Sequence, residues 1–314
     1  ITGVSYNLKP LPLNRLSRTR LWRTYQSVAL HFAASRAVGF TNLTRKLSPD
    51  AVVTVSHGVS WITASALARR LGLPLHLICH DEWARMGDMQ DWKDRVFGDI
   101  YRQAASRLCV SPFMAEEYQV RYGASSEILY PSRGMDSLSF DGPPQRLLEA
   151  KSQLTYVFAG TINSVGAVAS LKSLATTLAS CGGGRLLIYG PLTEGTARDI
   201  GLVAPNIELR GLVSSAELLD CLRDEADVLY VPMSFEKADS NNMKIGFPSK
   251  LTEYTSVGLP LLVHGPEYCS AVKWVRDNPG VAEVATKMNE TSLVASIGRL
   301  ANPEHRGWLA QAAL

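Results

Sequence analysis

Read for its apolar and polar positions, the chain shows short runs that are apolar throughout, closed by polar or turn-forming residues and separated by stretches of helical spacing. Such runs belong to parallel strands covered on both faces, since these have no solvent side towards which to alternate. In the first part they fall at Ala51–Val55, Pro74–Cys79, Arg107–Ser111 and Glu127–Tyr130. Helices are expected between them over Ser60–Leu71, about Trp92–Ser106, and Pro112–Tyr122, with Gly72 and Gly123 as stops. Residues 1–14 are polar and lack periodicity, and Arg15–Lys46 reads mostly helical.

The second part repeats the rhythm more fully. Strands are expected at Leu154–Phe158, Arg185–Tyr189, Ile207–Arg210, Asp227–Val231, Pro260–Val263 and Val281–Val284. Helices are expected at Val165–Ser180, Thr193–Leu202, Ser215–Cys221, Ser249–Val257 and Tyr268–Arg276, with another starting near Glu290; Met233–Gly246 reads as a polar loop. This alternation predicts an α/β protein of two Rossmann-like domains: an incomplete N-terminal one over 1–140, a linker over 141–152, and a C-terminal one over 153–314.

A length of 314 residues with 46% hydrophobic composition is enough for two cores. The net charge of +3 does not point to nucleic acid, and neither zinc-finger spacing nor a basic region followed by heptads is present, so no nucleic-acid partner is expected. The charge is unevenly placed: Lys9, Arg15, Arg18, Arg20, Arg23, Arg36, Arg45 and Lys46 face only Asp50 among the first fifty residues. Such an arm suits an anionic membrane surface or a charged acceptor, and equally a solvated helix face. Cys79, Cys109, Cys181, Cys221 and Cys269 lack metal-ligand or redox spacing and read as reduced core residues. No apolar run approaches a bilayer span and residues 1–15 lack signal-peptide order, so a cytoplasmic protein is expected, with any contact at the inner membrane face peripheral.

The stretch Phe247-Pro248-Ser249-Lys250-Leu251-Thr252-Glu253-Tyr254, stopped by Gly258 and Pro260, carries the most chemistry. The unpaired N–H groups of a first helical turn and the adjacent ammonium of Lys250 favour a phosphate, with Ser249 either capping the helix or binding that phosphate. Glu253 would repel the phosphate; one turn deeper it suits a ribose, whose two hydroxyls can donate to one carboxylate. Phosphate beside ribose means a nucleotide, although a capped helix with a surface Lys and Glu fits the spacing as well. Phe158-Ala159-Gly160-Thr161 is a strand-to-helix glycine turn that could form a second wall, or simply turn the chain. Gly190-Pro191 and His264-Gly265-Pro266 are similar strand-end turns.

In the first part, Cys79-His80-Asp81-Glu82-Trp83 follows a strand and pairs an imidazole with a carboxylate, a combination that can hold a hydroxyl or move a proton. His57, at the end of the preceding strand, could line the same sugar or acceptor pocket; a solvent-facing loop in which His80 only caps a neighbouring element, and a strand-end turn at His57 without a site role, fit the sequence as well. Asp81, Glu82 and Asp88 lie close in sequence but form no Asp-x-Asp pair, and no His-x-His pair is present, so no metal is expected. No Gly-x-Ser-x-Gly elbow is present either.

The segment Phe247–Pro260 resembles the signature of the group 1, family 4-like, retaining glycosyltransferases of the GT-B fold. His80-Asp81, Val110-Ser111-Pro112, Tyr130-Pro131, Phe158-Ala159-Gly160-Thr161, Tyr189-Gly190-Pro191 and Asn206–Gly211 follow in family order. The resemblance implies two Rossmann-like domains facing across a cleft, with a nucleotide diphosphate sugar as donor substrate, no permanent cofactor and no metal requirement. It places Glu253 on the donor ribose, the turn at Gly160 and Thr161 with Ser249 and Lys250 on the diphosphate, and His80 near the transferring sugar; His57 and Asp81 are lining candidates by their own positions. His80, Lys250 and Glu253 are thereby the expected catalytic set.

The chain departs from the family in three ways. Ile245 stands where a first glutamate usually contacts the sugar, the Thr161-Ile162-Asn163-Ser164 turn brings no cation before Lys172, and the usual first strand with its glycine-rich loop is not recognisable. The leading expectation is transfer of a sugar to an acceptor hydroxyl with retention of anomeric configuration, as in polysaccharide assembly on a saccharide or lipid-linked acceptor. The alternatives are a non-catalytic nucleotide-sugar binding or scaffold protein, and a sugar-nucleotide epimerase.

Overall fold

The structure is a computed structural model that describes residues 21, 28, 32–85, 90–134, 138 and 140–314. It divides into two units, residues 1–129 and 130–314. The division falls ahead of the 141–152 stretch expected as a linker. Within that stretch, Gln145–Leu148 is a 3-10 turn whose Leu147 is fully buried in the second unit's core. Arg146 holds it there, donating to Asp227 at 2.9 Å and to the carbonyl of Ala226.

The first unit contains a parallel sheet with strands β1 (Val52–Val55), β2 (Leu75–Cys79), β3 (Ser106–Cys109) and β4 (Glu127–Ile128) in that spatial order. Helices Ser60–Leu71, Gln90–Gln103 and Pro112–Tyr122 connect them. The last begins as its sequence requires: Ser111 accepts from Met114 N–H, Pro112 occupies the first turn and Gly123 ends it at φ 71°. Among the described residues β1 and β4 are the edge strands, and Val53 on β1 is 64% exposed. Of the helix expected over Arg15–Lys46, Arg36–Leu47 is seen; most of what precedes it, residues 1–14 included, lies outside the described residues.

The second unit is a six-stranded parallel sheet. Its strands are β5 (Thr155–Ala159), β6 (Arg185–Tyr189), β7 (Ile207–Gly211), β8 (Val228–Pro232), β9 (Leu261–His264) and β10 (Ala282–Ala285), ordered β10-β9-β8-β5-β6-β7. Chain order reverses across β5 and β8, and at such a switch point the strand ends leave a crevice. Successive residues of each inner strand serve opposite cores. Val157, Leu187, Leu229 and Val263 pack on one face, while Tyr156, Phe158, Leu186, Ile188, Tyr230 and Leu262 pack on the other. Burial on both faces explains runs that are apolar without alternation.

Two expectations change here. The helix expected over Ser249–Val257 is Lys250–Tyr254, continued by turns, and Met233–Gly246 contains a helix, Ser240–Ile245. The cysteines are free, with Cys79, Cys109 and Cys269 buried, but Cys181 is exposed at the end of its helix and is no core residue. Among the described residues no helix is long and apolar enough to cross a membrane.

Candidate functional site

At the carboxyl end of β5 the second unit holds a cavity of about 680 Å³. Gly160, Thr161, Ser249, Lys250 and Glu253 all line it, so the sequence-predicted nucleotide residues of this unit share one space. Packing from beneath brings them together. Tyr254, fully buried, uses its hydroxyl oxygen to accept from the Ala159 N–H at 2.7 Å, which ties the short helix to the end of β5. Gly160 turns away at φ 144°, its N–H donating to the Tyr189 carbonyl at 2.8 Å. Gly190 is not on the wall; a Cβ there would overlap the Gly160 carbonyl oxygen, so its bareness lets the two strand ends approach.

Lys250 reaches across Gly160, with its Nζ 4.9 Å from the centre of the Phe158 ring. Burial lowers its pKa, partly offset by the Glu253 carboxylate. No acid pairs with its ammonium among the described residues. A desolvated cation without a counter-ion is held at a cost that an anionic ligand would relieve. The Glu253 side chain is half-buried and likewise has no hydrogen-bond partner among the described residues. Ser249 lies in helical conformation (φ −55°, ψ −25°) and does not cap the helix, which leaves its hydroxyl for the cavity. With a helix of only five residues, little macrodipole is available, and charge stabilisation rests on side chains.

Other wall residues carry no site role in the sequence reading: Ser215 and Leu219 come from the helix Ser215–Glu225, Asn163 from the glycine turn, and Ser132, Arg133 and Gly134 from the segment after Tyr130-Pro131. Arg133 is the second cation of the wall, whereas Lys172 and Lys244 do not line it. The Lys244 ammonium instead lies 5.9 Å from the Tyr268 ring centre, and Ile245 is buried at 4% exposure.

In the first unit, His57, His80 and Asp81 gather beyond the ends of β1 and β2. His80 Nε2 meets Asp81 Oδ2 at 3.2 Å, the His57 and His80 rings are stacked at 5.7 Å, and Trp83 packs against His57 at 4.4 Å. The bond to Asp81 raises the His80 pKa, against the opposing effect of burial. The three side chains offer ligand atoms within 4.8 Å of one another, a spacing that a cation could draw together although the sequence shows no metal motif. His80 Nε2 is engaged with Asp81, and its buried Nδ1 has no hydrogen-bond partner among the described residues, so a neutral ring that donates from Nε2 keeps Nδ1 as a ligand atom.

A family profile described as Glycosyltransferase Family 4 matches residues 6–136. Among solved structures, sucrose-phosphate synthase from Thermosynechococcus elongatus is similar at TM-score 0.65 and 15% identity, over 91% of this chain and 73% of that one. Anabaena HepE, in complex with UDP and glucose, is similar at TM-score 0.62 and 12% identity, over 96% and 78%. The chain has the GT-B fold. A Listeria monocytogenes structure described as a putative UDP-N-acetylglucosamine 2-epimerase also resembles it, at TM-score 0.50 and 14% identity over 89% and 73%. The GT-B fold therefore accommodates more than one chemistry, and the site must separate them. No curated protein matches the chain by sequence.

Proposed function

We propose that this chain is a glycosyltransferase that takes a sugar from a nucleotide diphosphate and passes it to an acceptor hydroxyl with retention. The observation carrying this reading is that a desolvated ammonium, an unpartnered carboxylate and a bare glycine turn share one cavity at the end of β5. Glu253 accepts hydrogen bonds from the ribose hydroxyls, while Lys250 and the Gly160–Thr161 turn receive the phosphates. As the bond between anomeric carbon and diphosphate oxygen breaks, negative charge grows on the leaving group beside Lys250, and that is where a fixed cation lowers the barrier. The UDP and glucose held by the Anabaena protein support a nucleotide diphosphate sugar as donor. His80, ion-paired with Asp81 and neighboured by His57, is assigned to the sugar or acceptor hydroxyls.

Donor turnover tests this reading. Nucleotide diphosphate sugars are offered with and without saccharide acceptors, and release of nucleoside diphosphate is followed for the wild type, Glu253→Ala and Lys250→Ala. Turnover that survives unchanged in both variants rejects the site, and an inverted anomeric product rejects retention. The epimerase reading requires conversion of the donor sugar with no acceptor present. A binding protein without turnover is the second reading, and buried Ile245 favours it, because no carboxylate stands where the family usually contacts the sugar. Binding of donor without release or transfer under every acceptor condition would select it.

The acceptor side also has a charge signature. Between residues 32 and 80, Arg36, Arg45, Lys46, Arg69 and Arg70 stand against Asp50 alone, on two helices that pack together. This supports a peripheral contact with an anionic membrane, measurable as salt-sensitive binding to phosphatidylglycerol vesicles. Absence of binding at low salt counts against it.

A further inference from the structure

We propose that Arg133 is the second phosphate-binding cation of the nucleotide cavity, an assignment that rests on the donor reading above. Among the described residues three charged ones line the cavity: Lys250, Glu253 and Arg133. The formal charges of Lys250 and Glu253 sum to zero although the two groups form no ion pair, so without Arg133 the wall would carry no net charge towards a donor whose two phosphates carry two negative charges. The guanidinium makes the wall positive.

Arg133 is also held in place, as a binding residue must be. Its segment is stapled to the helix that carries the other two charges: Thr252 Oγ1 donates to the Pro131 carbonyl at 3.1 Å, and the Tyr130 ring packs on Phe247 at 5.4 Å. Arg133 Nη1 donates to the Leu138 carbonyl at 2.7 Å, which fixes the planar fork. Its remaining N–H groups make no other hydrogen bond and no ion pair among the described residues. A fork restrained at one nitrogen, and without another partner among the described residues, loses little further entropy on meeting a phosphate. The turn Pro131–Gly134 is thus a cationic strap on the rim, anchored through Thr252 to the Lys250–Glu253 helix.

The experiment compares the wild type, Arg133→Met and Arg133→Lys by calorimetric titration with UDP, GDP and ADP, and by NMR titration with the matching nucleosides. Thermal unfolding serves as the check of fold. For the diphosphate that the wild type binds, Arg133→Met is expected to lose tenfold or more in affinity, with nucleoside affinity changed less than twofold and part of the loss restored in Arg133→Lys. Diphosphate affinity within twofold of wild type, or an equal loss for diphosphate and nucleoside, overturns the assignment and leaves the donor reading standing. A wild type that binds none of the three diphosphates overturns the donor reading itself, and this assignment with it.

Discussion

Replacing Gly160 by alanine tests how tightly the glycine turn and the ammonium are fitted. At φ 144°, a non-glycine backbone is strained by about 1–3 kcal/mol. At about 2–4 °C per kcal/mol for a unit of this size, calorimetry should show the melting temperature falling by several degrees. The new Cβ would stand 2.7 Å from both Cε and Nζ of Lys250, so the amine must retreat until the gap reaches the 3.4 Å of ordinary contact. A hydrogen bond to a charged group is worth about 1.5–3 kcal/mol, which sets the ceiling of affinity lost with Lys250→Ala at roughly tenfold to a hundredfold. Gly160→Ala should forfeit a substantial part of that, fivefold or more, in titration with the nucleoside diphosphate that binds. In the Lys250→Ala background the obstructed atoms are gone, so adding Gly160→Ala should still lower stability but cost no further affinity. Equal affinity losses in both backgrounds, or none in either, would show that the Cβ at position 160 does not act through the Lys250 amine.

Other consequences are open to single measurements. The His80 imidazole should titrate above 6.5 by NMR and return towards that value in Asp81→Asn, since the bond to Asp81 is the main cause of the rise. Because the folded pKa is the higher one, the stability this pair contributes is present below about pH 6.5 and disappears as pH climbs through the raised value. Both side chains are more than a third exposed, so the effect on unfolding should be small. Tyr254→Phe leaves the buried Ala159 N–H without its acceptor and should cost about 1–3 kcal/mol in denaturant unfolding, with weaker nucleotide binding as the helix loosens from β5. Nucleotide affinity should fall with rising pH at values below those of an exposed lysine, because burial lowers the Lys250 pKa and only the ammonium form attracts phosphate; a fall confined to the ordinary lysine range would contradict this.

The inner strands β5, β6, β8 and β9 were legible because buried parallel strands write themselves as unbroken apolar runs, whereas both residues of β4 are exposed; Gly72, Gly123 and Pro112 marked helix ends by backbone requirements that few other residues meet. The short helix was overextended because Thr255–Val257 have no local stop before Gly258; what holds its end is the Tyr254 bond to Ala159, a tertiary contact. The helix Ser240–Ile245 was hidden by polarity, since only Ile245 on it is buried. Lys250 and Glu253 could be read from their spacing on one helix. Arg133 could not, because its place on the wall depends on Thr252 meeting the Pro131 carbonyl across 121 positions of chain. The only local hint was an arginine in a turn directly after Tyr130-Pro131.

On the proposed assignment, Glu253 grips the ribose of a nucleoside diphosphate whose phosphates lie beside Lys250. The most direct measurement compares the affinity of the wild type and Glu253→Ala for a ribonucleoside diphosphate and its 2′,3′-dideoxy counterpart. The wild type should prefer the ribose form by tenfold or more, Glu253→Ala should bind the two forms alike, and Lys250→Ala should weaken both equally. A wild type indifferent to the hydroxyls, or a preference that survives without Glu253, would contradict it.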